Sequence, residues 1–302
     1  MPYLMFLFVC LVWSVSFMLM KKAAVAFSPT EIGLWRVAGG AGTLALFWAW
    51  KDRAWTLHRR DLWPVLFLIL AGFAWPYCIQ PWVVSRQGSA FMALVVSFVP
   101  LFTILISLAV LRVAPSGRQL VGVIGSLICM AVLMEDGLRR EVPLVQLALA
   151  LTVPLGYAMT NVVIRQRLPH VGSLFLTLVA LTASVVLLAP VAACTASTAT
   201  PPTAEGRYAV AALAVLSVVG TGVTTFVFNK LIRDHGPLFA GMTTNVVPLG
   251  AVLLGWLDAE EVTWSQVGAL VGIIAMVTLV QFRAAGTAPL VESSVPEQGR
   301  EA

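Results

Sequence analysis

Charge is what this chain has least of. Only 11% of its 302 residues are Asp, Glu, Lys or Arg, against roughly 25% in soluble domains. That is too little to clothe a water-facing surface, and 59% of the residues are apolar. Cysteine is scarce as well: Cys10, Cys78, Cys129 and Cys194 show no CxxC spacing, so neither a disulfide framework nor a zinc site is implied. They read as small apolar packing residues. The three histidines, His58, His170 and His235, stand singly in loops, and the chain contains neither HExxH nor a glycine-rich phosphate loop. Enzyme chemistry, a cofactor and a metal are therefore not expected, and ATP-driven work would need a partner chain. The polar/apolar alternation that builds a transmembrane barrel is also missing.

What remains is a series of apolar segments of about the 20 residues that a helical crossing demands. The expected fold is an all-α polytopic membrane protein with ten spans: 3–20, 31–50, 63–83, 89–110, 119–134, 143–164, 172–193, 208–229, 238–257 and 264–282. The first is read as a retained span, not a cleaved signal. It has no positive start, and Lys21 and Lys22 separate it from the small residues Ala23–Ala26. No Asp or Glu lies inside any span. A buried carboxylate is the usual device for moving protons through a membrane, so proton antiport by that route is disfavoured.

The formal net charge of +5 would raise nucleic-acid binding in a soluble protein. Here it reads as the positive charge of cytoplasmic loops. Twelve Lys/Arg fall on one side (Lys51, Arg53, Arg59, Arg60, Arg112, Arg118, Arg165, Arg167, Lys230, Arg233, Arg283, Arg300) and six on the other (Lys21, Lys22, Arg86, Arg139, Arg140, Arg207). Both termini are thus expected in the cytoplasm, although Lys21 and Lys22 taken alone point the other way.

The chain also makes one hydrophobic statement twice. Gly72, Gly88, Phe91, Val99, Pro100, Leu101 and Leu105 recur 148 residues later as Gly220, Gly236, Phe239, Val247, Pro248, Leu249 and Leu253, without a gap. Each copy holds an odd number of spans, five, so the second must be inverted, as in many secondary transporters. The expected units are 1–136 and 143–282, followed by a disordered, Pro-, Gly-, Ser- and Glu-rich cytoplasmic tail, 283–302. Loop charges agree with inversion: Arg112 and Arg118 follow span four, whereas Asp258, Glu260 and Glu261 follow span nine. Gly122 and Gly125 in span five, and Gly268 and Gly272 in span ten, allow close helix approach. Packing of the two halves on each other is favoured over a homodimer through these spans.

Polar residues at membrane depth tend to face inward. Trp13, Ser16, Trp75, Tyr77, Gln80, Ser97, Tyr157, Asn161, Thr225 and Asn245 are the expected cavity residues, Trp13 and Tyr157 being read as counterparts in the two halves. Trp48, Trp50, Trp55, Trp63 and Trp264, near span ends, read as interfacial anchors. Pro100, Pro154 and Pro248 lie within spans and are expected to act as hinges, because proline breaks the helical ladder. Arg36, about five residues inside span two, can snorkel to the surface. Glu31 stands close enough along the helix to pair with it, so both are expected to be structural charges.

These residues resemble the drug/metabolite transporter superfamily, in particular its EamA-type ten-span carriers, over about residues 3–282. The likeness is carried by Val12–Trp13–Ser14 with Lys21 closing span one, and by Pro29 with Arg36 opening span two. The Pro100 and Pro248 spans are each followed by a Gln–Gly helix, Gln119 with Gly122 and Gln266 with Gly268. Glu261 before Val262–Thr263 is similar to a glutamate common in this family; Arg112 stands where the first half would carry its counterpart. The resemblance implies import or export of small metabolites, commonly amino acids or related amphipathic compounds, through a cavity between the halves. The first-helix glutamate that drives drug efflux in four-span relatives is missing. So are the paired basic residues that hold anions in phosphate-exchanging relatives.

The expected function is therefore a secondary carrier for a small neutral or zwitterionic metabolite such as an amino acid, working by alternating access. An exporter of amphipathic drugs or lipids, and a non-transporting membrane scaffold, are the alternatives. The bilayer and the solute are its expected partners, and nucleic acid is not. Arginine in excess of lysine and abundant alanine point to a bacterial plasma membrane.

Overall fold

The computed structural model describes residues 1–50, 57–111, 115–133, 142–195, 204–257 and 264–281. Lys51, Arg53, Trp55, Arg112, Arg139, Arg140, Asp258, Glu260, Glu261, Arg283 and Arg300 lie outside the described residues, as does the segment 283–302. The loop-charge comparison and the expected tail therefore fall outside them too.

All regular structure among the described residues is helical. Helix α1 is Pro2–Ala23 and α2 is Pro29–Trp50. Next, α3 (Leu62–Phe67), a π-helical turn (Leu68–Ala74) and α4 (Trp75–Gln87) form one rod. Then come α5 (Ser89–Val96), α6 (Val99–Ile106) and α7 (Gly117–Leu133). The second half starts with α8 (Leu144–Arg167) and α9 (Ser173–Thr195). A second rod follows, made of α10 (Ala204–Val215), a π-helical turn (Leu216–Val223) and α11 (Thr224–His235). The chain continues through α12 (Pro237–Gly241), α13 (Thr243–Leu257) and α14 (Trp264–Gln281).

Five helical stretches are long and apolar enough to cross a membrane: Pro2–Ala23, Arg59–Gln87, Leu144–Arg167, Ser173–Thr195 and Ala204–His235. Val99–Val110, Gly117–Cys129 and Val271–Val280 are apolar but shorter. The outer surface is apolar where a soluble protein would be charged. On α1, for instance, Leu4, Leu7 and Leu11 form an exposed stripe at helical spacing, whereas Ser14 and Ser16 are buried. This multi-pass membrane protein keeps its polar atoms inside, because lipid offers backbone and hydroxyl groups no hydrogen bonds.

The 148-residue repeat is written into the backbone. The π turns of the two rods begin at Leu68 and Leu216, one repeat apart, and a further π turn, Ser107–Leu111, continues α6. Each rod ends on a glycine of positive φ, Gly88 (+87°) and Gly236 (+93°), again one repeat apart. With ψ of 166° and 161° these glycines occupy a region essentially closed to side chains. Nothing lies within 4 Å of a Cβ built at Gly236, so a substitution there tests backbone strain alone. Gly236→Ala is expected to cost about 1–3 kcal/mol, read as an earlier thermal unfolding of the detergent-purified protein.

Contacts between the halves are reciprocal. Helix α2 packs on the π turn of the second rod and α9 on that of the first. Helix α1 packs on α13 and α11, while α8 packs on α6 and α4. Exchanging equivalents across an interface in this way is the mark of a two-fold relation. Helices α7 and α14 meet along the small residues: a Cβ on Gly125 would lie 2.6 Å from Met276 Sδ, and one on Gly272 2.6 Å from Cys129 Sγ. Gly122 likewise abuts Val280, whereas Gly268 faces open space.

The breaks in the helices do not fall where the prolines suggested. The span containing Pro100 breaks at Ser97–Phe98, and Pro100 sits in the first turn of α6, where its missing N–H costs nothing. Helix α8 runs unbroken through Pro154, and α13 through Pro248. The second half breaks instead at Met242, between α12 and α13. The π turns of the two rods, which sequence reading missed, recur in both halves as the glycines Gly88 and Gly236 do.

Candidate functional site

The π turn of each rod opens the helical ladder, and in the second rod hydroxyls fill the gaps. In the second, Thr221 Oγ1 donates to the Leu216 carbonyl at 3.1 Å and Thr224 Oγ1 to that of Val219 at 2.7 Å. Between the two rods lies a cavity of about 70 Å³. It is enclosed by α1, α2, the first π turn, α4, the α5–α6 break, α8, α11 and α13.

The cavity sits on the two-fold relation. Trp13 and Asn161, Ser16 and Ile164, Tyr77 and Thr225, Gln80 and Phe228, Val96 and Thr244, and Val99 and Val247 are repeat equivalents, and every one of them lines it. In five of these six pairs a more polar side chain answers a more apolar one. The lining is therefore amphipathic although its framework is symmetric. The repeat pairs Trp13 with Asn161 and not, as first read, with Tyr157.

Of the expected cavity residues, Trp13, Ser16, Tyr77, Gln80, Tyr157, Asn161 and Thr225 line this space. Gln80 Nε2 donates to Tyr157 Oη at 2.7 Å, joining the halves across the cavity. Trp13 packs on Phe228 with ring centroids 4.7 Å apart. Asn229 and Thr160 also line the cavity; Asn229 Nδ2 donates to Thr177 Oγ1 at 2.7 Å, and Thr160 Oγ1 to the Gly156 carbonyl at 2.9 Å. Both are polar residues at depth, the signal by which their neighbours were picked.

Three expected residues lie elsewhere. Trp75 is 43% exposed, and its indole N–H donates to Thr152 Oγ1 at 2.7 Å. The rod turns its face outward just where the π turn ends. Ser97 is fully buried at the α5–α6 break, away from the lining. Asn245 is fully buried as well, and its Nδ2 donates to Ser126 Oγ of α7, behind the cavity wall.

The largest correction concerns charge. Arg36 does not snorkel out or pair with Glu31. Glu31 is spent on the start of α2, where its Oε2 accepts the Ser28 N–H at 2.7 Å and the Ser28 hydroxyl accepts the Glu31 N–H at 3.3 Å, a capping box. Arg36, only 5% exposed, turns into the cavity. Its Nε donates to Thr221 Oγ1 at 3.3 Å, and its guanidinium lies over the Tyr77 ring at 4.5 Å. Among the described residues its Nη1 has no hydrogen-bond partner, and neither has Asn161 Nδ2. No carboxylate is among the lining residues. Two buried, unpartnered donors thus belong to residues that line one space, which holds neutral oxygens but no carboxylate. The expectation that the histidines stand singly is corrected too: His58 and His170 meet over Asp61.

Comparison with known proteins agrees with the architecture. The model of the EamA-like transporter family matches twice, over residues 1–134 and 145–282. A solved structure described only as "Crystal structure of protein" superposes with a TM-score of 0.77 at 15% identity, over 95% of this chain and 99% of that one. It shows the same fold. No curated protein matches the chain.

Proposed function

Since the chain belongs to the EamA-like transporter family, a family of membrane transporters in the drug/metabolite superfamily and not of enzymes, we propose that it is a secondary carrier for a small zwitterionic metabolite bearing a carboxylate, such as an amino acid. The observation that carries this reading is the pair of unpartnered donors, Arg36 Nη1 and Asn161 Nδ2, in a cavity without an acid. A buried donor left unpaired forfeits about 1–3 kcal/mol, and more when charged; a bound carboxylate restores it. The Trp13, Tyr77 and Tyr157 rings supply the faces against which an ammonium or apolar group rests. A cavity of about 70 Å³ favours a solute of few atoms over a lipid.

In this reading ten spans form two inverted five-helix halves, with both termini in the cytoplasm of a bacterial plasma membrane. The halves rock about the cavity to expose it alternately to each side, the mode of carriers built from inverted repeats. The reciprocal contacts and the paired π turns support it, since π turns are frequent at functional sites.

Transport assays on reconstituted protein test the proposal. Liposomes containing the chain are expected to exchange labelled amino acids, and the free acids to compete. Their methyl esters and decarboxylated amines are expected not to. Equal competition by the amines overturns the carboxylate assignment and favours a lipophilic-cation exporter. Asn161→Ala is expected to raise KM by about 10-fold while leaving kcat near its parent value, the cost of one hydrogen bond to a charged group.

A further inference from the structure

Away from the cavity, the loop that opens the first rod meets the loop between α8 and α9. Asp61 ends a single 3-10 turn, Arg59–Asp61, and is 2% exposed although its surroundings face water. Its Oδ2 accepts the His58 N–H at 2.9 Å, closing the turn. The same oxygen stands 2.9 Å from His170 Nε2 and 3.4 Å from His58 Nδ1. The two imidazole rings are tilted toward each other with centroids 5.7 Å apart. One donor atom from each residue can be drawn so that all three lie within 4.8 Å of one another.

These separations have a chemical meaning. A tetrahedral ion with bonds of about 2.0–2.1 Å places neighbouring ligand atoms ~3.3 Å apart. The distances from Asp61 Oδ2, 2.9 and 3.4 Å, bracket that value, and the remaining separation, between the two imidazole nitrogens, is within 4.8 Å. Two imidazoles and one carboxylate suit zinc, cobalt or nickel. Magnesium and calcium prefer all-oxygen shells. Beside the cluster a pocket of about 600 Å³, lined in part by Arg60, Trp63, Gln166 and Arg167, leaves room for water in the fourth position.

We propose that His58, Asp61 and His170 form a binding site for one divalent transition-metal ion of the zinc class. The first two come from one half of the molecule and the third from the other, so the ion ties the halves together at this end. The assignment does not depend on what the cavity carries.

Titration of the metal-stripped, full-length protein in detergent or nanodiscs tests it, using Zn²⁺ for stoichiometry and Co²⁺ for its visible spectrum. A Cys194→Ser background removes the exposed thiol. One ion per chain is expected, with the absorption of a four-coordinate cobalt complex. Loss of even an outer-shell partner weakens metal binding by about 10–100-fold, so His58→Ala and His170→Ala are each expected to weaken it by at least about 10-fold. His235→Ala, elsewhere in the chain, is expected to leave it unchanged. Asp61→Asn also loosens the turn, so the histidine variants carry the result. Absence of stoichiometric binding, or undiminished binding in both histidine variants, overturns the proposal.

Discussion

Arg36→Ala is expected to lower kcat/KM for the carboxylate-bearing solute by at least ~30-fold in proteoliposomes, while the variant unfolds no earlier than the parent. Truncating one partner of a desolvated, hydrogen-bonded charge pair costs about 2–5 kcal/mol, and each 1.4 kcal/mol is tenfold. The solute contributes the other partner. The unliganded protein loses one hydrogen bond to Thr221 and the contact over Tyr77, offset by relief of the several kcal/mol that it costs to keep a cation 5% exposed and incompletely paired. Arg36→Lys is expected to recover part of the activity: the charge is kept, but the planar fork that grips a carboxylate is not. If Arg36→Ala transports normally, or if it simply fails to fold, the cavity reading loses its main support.

The second large effect is on the fold. Gly156 of α8 crosses the first π turn so closely that a Cβ there would lie 2.5 Å from the Ala71 carbonyl oxygen. The obstacle is backbone and cannot rotate away. Gly156→Val is expected to cost at least the roughly 1–3 kcal/mol of ordinary overpacking, giving little folded protein and a clearly lower unfolding temperature on detergent thermal scans. Gly268→Ala, where a Cβ meets nothing within 4 Å, is expected to be neutral on the same scans. Equal stability of the two variants would mean that the helices do not cross at Gly156.

The repeat was legible in the amino-acid order because its glycines and prolines are themselves geometric: Gly88 and Gly236 recur since only glycine tolerates their φ. The all-helical, membrane-embedded architecture was legible because apolar length and scarce charge are properties of composition. Rotation about a helix axis was not. Trp75 and Tyr77 lie two residues apart in one rod, and one faces outward while the other faces the cavity. Their hydropathy does not say which, and the π turn before them adds a further offset. Arg36 was misjudged for the same reason: distance from the span's end permits snorkelling, but Thr221 and Tyr77, far along the chain, decide where the guanidinium goes. His58 and His170 meet through loop proximity alone, which no spacing rule within one loop encodes.

Thr221 has one proton and two neighbours. It gives that proton to the Leu216 carbonyl, which leaves its oxygen lone pairs for Arg36. The cation and the widened coil are consequently harnessed to a single atom. On the proposed carrier reading, a solute that draws the guanidinium toward itself would pull on the same hydroxyl that closes the π turn before α11. Occupancy at the centre would then be felt in the pitch of the neighbouring rod.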